Sequence, residues 1–214
     1  MRRISVLSWL ALPLVIQTAY AQTSESSSKT RKPEQRVTRD KGPSPTAETD
    51  YHNPEFAFTY KTPYAWVDRT KPMQDDSADP AKSKLLLAVF ERPPEVTGDT
   101  VNSAVVITAE NAASYPGLKT AADYLGPLTE LTTSKAFKAA ADPYEFPVGT
   151  TPLVRADFVK DLGKVTMHQS SLILLRKGFV LSFTFIAGSE DELDELIEKL
   201  SFAGARPGPS ALHP

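Results

Sequence analysis

Two stretches of this chain are apolar at successive positions, Leu85 to Phe90 and the Ala104-Val-Val-Ile core of Ser103 to Ala109. Side chains of a strand alternate between faces. A run that is apolar at every position therefore needs cover on both sides, as a central strand or inside a sandwich core. Three more strand-like runs follow late in the chain: Leu153 to Val159, Val165 to Leu175 and Phe179 to Ala187. Arg176-Lys177-Gly178 separates the last two, a short polar stretch ending in Gly that reads as a hairpin turn. An earlier strand, Phe56-Ala-Phe-Thr-Tyr60, puts Phe56, Phe58 and Tyr60 on one face. After Thr62-Pro63-Tyr64 turns the chain, Trp66 re-enters it, and a ring this large beside a small sheet is expected to be a core anchor rather than a binding-surface aromatic.

Two helices complete the pattern. Residues Thr120 to Lys138 carry helical spacing at Ala121, Leu125 and Leu128, with Gly126-Pro127 pointing to a kink or to two short helices. The second is sharper. Ser189 and Glu192 form a capping box, in which the serine oxygen meets the third amide and the glutamate reaches back. Leu193, Leu196, Ile197 and Leu200 then make one apolar stripe, with Phe202 docking behind it. Strands, a helix, three more strands and a helix do not alternate as βαβ units. The order specifies an α+β fold, a largely antiparallel sheet with helices packed on it.

The ends of the chain read differently. Arg2-Arg3, an apolar run from Ile4 to Ile16 and Ala19-Tyr-Ala21 make a secretory signal peptide over residues 1–21. The run is shorter than the roughly 20 residues needed to span a bilayer. Residues 22–50 hold one aliphatic side chain larger than alanine, Val37, and no aromatics. Such a segment cannot offset its ordering entropy and reads as a polar, disordered linker. One globular domain is expected over 51–204 and a flexible tail over 205–214. The expected location is exported, periplasmic or extracellular, with no stable membrane anchor after cleavage.

Charge and residue types exclude several kinds of chemistry. Loss of Arg2 and Arg3 leaves 22 of the 24 basic residues against 26 acidic ones, a formal charge of −4, which offers no footprint for nucleic acid. There is no cysteine, so neither a disulfide nor a thiol nucleophile is available. No Gly-x-Ser-x-Gly elbow occurs, and Gly163-Lys164 lacks the upstream glycine of a phosphate loop. Of three histidines, His52 and His213 sit at the domain edge and in the tail; His168 alone lies within a strand. Asp75, Asp76 and Asp79 form a short acidic loop that reads as solvated, with a loose calcium site as the alternative. No cofactor and no metal are expected. The remaining polar cluster is Arg155, Asp157, Lys160, Asp161 and Lys164. Alternation places Arg155 and Asp157 on one face, as an exposed ion pair worth 0 to about 1 kcal/mol or as the rim of a binding surface. Arg155, Asp157 and Lys164 are the candidate binding residues.

The opening Phe56, Phe58, Tyr60, Pro63 and Trp66, with the element order behind it, resembles the PsbP-like superfamily. That α/β/α sandwich is shared by an extrinsic photosystem II subunit, a nuclear import factor that binds the Ran GTPase, and DcrB-like envelope proteins. The resemblance spans Tyr51 to Phe202. It implies a non-enzymatic binding or assembly role and carries over no catalytic residue. The missing cysteine departs from the lipoprotein members of the group. Two functions follow as expectations: a non-catalytic exported binding or assembly module of the cell envelope with a protein partner, or a small-molecule or lipid carrier, its small apolar ligand held in a pocket between sheet and helix. A cavity lined by Phe56, Phe58, Phe179, Phe183 and Phe185 would mark the carrier, and a filled core the module. Exported material is expected to begin at Gln22; amino-terminal sequencing checks this, and an intact Met1 on the exported form contradicts it.

Overall fold

The computed structural model describes residues 49–75 and 82–203. The expected signal peptide, the linker as far as residue 48, Asp76 and Asp79 of the acidic loop, and the tail lie outside the described residues. The first half of the domain contains β1 (Thr49–Asn53), β2 (Phe58–Thr62), β3 (Val67–Asp68), α1 (Thr70–Asp75), β4 (Ser83–Phe90), β5 (Ala104–Asn111) and α2 (Leu125–Ser134). The second half contains β6 (Lys138–Ala139), β7 (Tyr144–Val148), β8 (Thr151–Asp161), β9 (Thr166–Arg176), β10 (Phe179–Ala187), α3 (Glu190–Ile197) and β11 (Leu200–Phe202). The first strand thus starts two residues before the expected domain boundary. No helix among the described residues is long and apolar enough to cross a membrane.

The expected α+β arrangement is the one observed. A large sheet runs β3-β4-β5-β10-β9-β8-β6, with β7 also paired to β8, and a small one runs β1-β2-β11. Every pairing is antiparallel. The doubly apolar runs are β4 and β5, and both faces of the large sheet are indeed covered. On one face Val105, Ile107, Leu172, Leu181, Phe183 and Phe185 share a core with the small sheet and with Leu193, Leu196 and Ile197 of α3. On the other, Tyr124 and Leu128 pack on Ala156, Phe158, Ile173 and Val180, while Met73 of α1 packs near Phe90 and Val106.

The aromatic opening supplies the contact between the two sheets. Phe56 meets Phe179 at 5.5 Å between ring centroids, Phe58 meets Phe183 at 5.1 Å and Tyr60 meets Phe185 at 6.2 Å. Phe202 of β11 closes on both Phe58 and Phe183. All five phenylalanines proposed as a cavity lining are therefore in ring-on-ring contact. Trp66 belongs to the same core and is 9% exposed.

Local details depart from expectation in instructive ways. The β9–β10 turn is where expected, with Lys177 (φ 52°) and Gly178 (φ 76°) both left-handed, the signature of a type I′ hairpin. Of the two outcomes expected around Gly126-Pro127, a kink or two short helices, the second is the nearer one, though the junction falls before Gly126. A 3₁₀ turn over Ala121–Tyr124 runs directly into α2, and Pro127 falls in the first helical turn, where its missing amide costs nothing. The helix stops at Ser134, short of Lys138, and left-handed Ala136 (φ 66°) follows. Ser189 caps α3 as expected, accepting from the Glu192 amide at 3.2 Å. Glu192, however, reaches the Gly188 amide (3.1 Å) and the Ser103 hydroxyl (2.5 Å) instead of Ser189.

Strand β7, absent from the sequence-based element order, carries Pro147 inside it, a residue ordinarily confined to edge strands. The two-residue turn at Gly149-Thr150 makes Val148 and Thr151 a hydrogen-bonded pair. Alternation then puts Pro147 opposite Pro152 at a non-hydrogen-bonded position, so neither proline removes a bond from the β7–β8 ladder. On the outer edge of β7, only Glu145 has an outward amide. A proline and a charge are what blunt an edge strand against pairing with another chain.

Replacement of Trp66 by alanine is expected to cost about 3–5 kcal/mol, the usual loss for a buried aromatic. Urea unfolding of the variant measures it; a loss below about 1 kcal/mol would mean that the ring contributes little to the core.

Candidate functional site

Odd-numbered residues of β8 face the small sheet and α3. Leu153 joins the core there, and Arg155 and Asp157 come next along the strand. Register places Arg155 between Tyr144 of β7 and Leu172 of β9, and Asp157 beside Ser170. The Arg155 Nε donates to Asp157 Oδ1 at 2.9 Å, and its Nη1 donates to Asp194 Oδ1 of α3 at 2.9 Å. The Ser170 hydroxyl also donates to Asp157, and the Tyr144 hydroxyl donates to its other oxygen at 3.3 Å. The guanidinium stands 5.1 Å from the Phe146 ring centroid and 5.9 Å from that of Tyr144, within cation–π range.

The exposed ion pair expected from the sequence is thus a covered one. The Arg155 side chain is 9% exposed, against 61% for Asp194. Burial works to lower the Arg155 pKa, but the bonds to Asp157 and Asp194 outweigh it and hold the guanidinium above its ordinary value. Burial first, and then the Asp157 charge, raise the Tyr144 phenol, so it remains a donor. Lys164 does not join this group: it is exposed in the β8–β9 turn beyond Asp161, at the far end of the strand. Lys160 points to the opposite face, where its Nζ lies over Phe137 at 5.5 Å. Asp161 accepts from the Gly163 amide at 2.7 Å.

His168 shares the face of Ser170. Its Nδ1 lies 3.9 Å from Glu190 Oε1, too far for the hydrogen bond that would orient a general base. His52 pairs with the Thr59 hydroxyl at 2.9 Å. Among the described residues, no group of three or more His, Asp or Glu is placed to hold a metal ion.

A second polar cluster, on the helix-covered face, escaped the sequence reading. Glu110, 7% exposed, accepts from the hydroxyls of Tyr124 (2.9 Å) and Tyr115, whose rings meet edge to face at 5.1 Å. Burial, followed by the Glu110 charge for Tyr124 and the Glu110 hydrogen bond for Tyr115, raises both phenols well above the ordinary tyrosine value. The signal that could have found it is the alternation of β5: Ala104, Val106 and Thr108 put Glu110 on a covered face, where a carboxylate needs donors.

No family model matches this chain, and no curated protein does. Solved structures similar to it include a protein of Bacteroides thetaiotaomicron, at 17% identity over 76% of this chain with a TM-score of 0.40. The chain spans half (50%) of the length of that protein. The cyanobacterial PsbP, CyanoP, of Synechocystis is similar at 12% identity over 72% of this chain and 91% of its own, with a TM-score of 0.47. The Ran-binding protein Mog1p of Saccharomyces cerevisiae is similar at 12% identity over 74% of this chain and 96% of its own, with a TM-score of 0.43.

Two outcomes follow. Arg155→Ala strands the covered Asp157 charge and is expected to cost about 3 kcal/mol, whereas Asp194→Ala, at the exposed end, is expected to cost less than about 1 kcal/mol; thermal denaturation of both variants checks the order. Tyr60, Tyr115 and Tyr124 have folded pKa values raised above the unfolded value of about 10. Their stabilisation is complete below that pH and is lost as pH rises through the folded values. Phenolate absorbance during an alkaline titration is expected to appear in two stages, the later one together with unfolding.

Proposed function

We infer that this chain is an exported, non-catalytic binding module of the cell envelope whose recognition surface is the side formed by α3 and β7. The observation that carries this reading is the Arg155–Asp194 bond. It ties α3 to β8 and fixes the helix beside the aromatic pair of β7, while Tyr144 stays 42% exposed and the Asp194 and Glu190 side chains stay 61% and 78% exposed. A rigid surface of tyrosine and carboxylates needs little ordering on association, and immobilised aromatic anchors dominate many interfaces.

Arg155 and Asp157 support the surface from below; they are not its rim. Lys164 lies apart from it, in the β8–β9 turn. The reading as a carrier of a small apolar ligand finds no support in the aromatic interior, where the rings meet one another. The partner is proposed to be a protein. A photoreactive residue placed at Tyr144 in the exported full chain is expected to give a discrete crosslinked species, while the same residue at Lys164 gives none. Crosslinking at Lys164 alone would move the surface to the β8–β9 turn, and turnover in a hydrolase screen abolished by His168→Ala would replace binding by catalysis.

A further inference from the structure

The chain leaves β10 at Ala187 and enters α3 at Glu190. Beside that passage, on β9, stands His168, paired with Ala187 on one side and with Val159 on the other. Its side chain is 18% exposed. Histidine is the side chain whose ordinary charge change falls between about pH 5 and 8.

The charged groups around the ring are mostly carboxylates. On β8, alternation sets Asp157 and Asp161 on the face of His168, either side of Val159, with Arg155 further along. Strand β10 contains no charged residue. From α3 comes Glu190, whose Oε1 is 3.9 Å from Nδ1; Asp191 and Asp194 follow it on the helix, and Glu192 is turned to Ser103 and Gly188. Arg155 is already engaged by Asp157 and Asp194, and Asp157 by Ser170 and Tyr144. Glu190 is 78% exposed, so its side chain has room to turn. A gap of 3.9 Å is too long for a hydrogen bond. A protonated ring donates from both nitrogens, and an imidazolium–carboxylate bond is shorter and stronger than a neutral one. The positive end of α3 opposes a cation here with about half a charge, which the three carboxylates Asp157, Asp161 and Glu190 outweigh.

We propose that His168 and Glu190 form a proton-operated clamp on the first turn of α3. With the ring protonated, Glu190 turns inward and ties the start of the helix to β9. With the ring neutral the contact opens, and α3 keeps its ties through Arg155 and Glu192. The clamp is closed at the acid end of the histidine range, where a glutamate is still ionised above about pH 4.3, and it is lost as pH rises. Because Glu190 belongs to the α3–β7 surface, the clamp changes what that surface presents to a partner. This consequence rests on the binding reading; the clamp itself does not.

A magnetic-resonance titration of the nitrogen-15-labelled full chain across about pH 5 to 8 tests it without a partner, so its failure is separate from a failure to crosslink at Tyr144. The His168 ring and the amides of Glu190, Asp191 and Glu192 are expected to shift together with one midpoint. In Glu190→Gln the step in these amides is expected to vanish while the His168 ring still titrates; in His52→Gln it is expected to survive. Helix amides that stay still across the range, or a step that Glu190→Gln retains, overturn the clamp. A step that persists in His168→Gln overturns it too, and if that variant fails to fold, Glu190→Gln, at an exposed side chain, carries the comparison.

Discussion

The aromatic layer between the two sheets is the contact on which the rest of the domain depends. The small sheet has three strands of five, five and three residues, too little to persist alone in water. It exists because β2 lies along β10 and sets Phe56, Phe58 and Tyr60 on Phe179, Phe183 and Phe185. Edge-to-face ring pairs add specificity to the large apolar area that each ring removes from water. With β2 fixed, β11 pairs with it, and α3, which immediately precedes β11, is laid across the end of β10. The position of α3 is therefore inherited from a contact made by residues near the opposite end of the domain.

Electrostatics refines that placement. The covered Arg155 faces two carboxylates, and a buried ion pair of this kind contributes little net stability once desolvation is counted. What it contributes is geometry. The planar guanidinium fixes the distance and angle between β8 and Asp194, and the rings of Phe146 and Tyr144 hold its face. A lysine could not reproduce two directed bonds together with a ring contact. The helix above carries Glu190, Asp191, Asp194 and Glu195 on exposed positions, so its outward side is strongly acidic while its inward side is leucine and isoleucine.

Much of the fold was legible because local and global signals agree. β4, β5, β9 and β10 are announced by apolar runs, the I′ turn by Lys177-Gly178, and α3 by Ser189 and its leucine stripe. What stayed hidden depended on partners distant in the chain. The Gly126-Pro127 pair suggested a break only because the start of α2 could not be placed ahead of it. Arg155 and Asp157 were legible as a pair on one face, but their burial was not, since it comes from Asp194, Tyr144 and Ser170, none of them within ten residues. Lys164 was grouped with them by nearness in sequence, and the length of β8 separates it.

The pairing of β2 with β11 has a consequence for how the domain forms. Phe58 lies opposite Phe202 and Tyr60 opposite Leu200, so one short ladder joins nearly the first residues of the domain to nearly the last. Loop-closure entropy makes such non-local pairings late and slow to form. The large sheet can grow through its local hairpins, β7–β8, β8–β9 and β9–β10, while one face of its core is still uncovered. Only when the final strand is available do the aromatic layer and α3 close together, so during synthesis the chain stays without its complete core until its last elements have emerged.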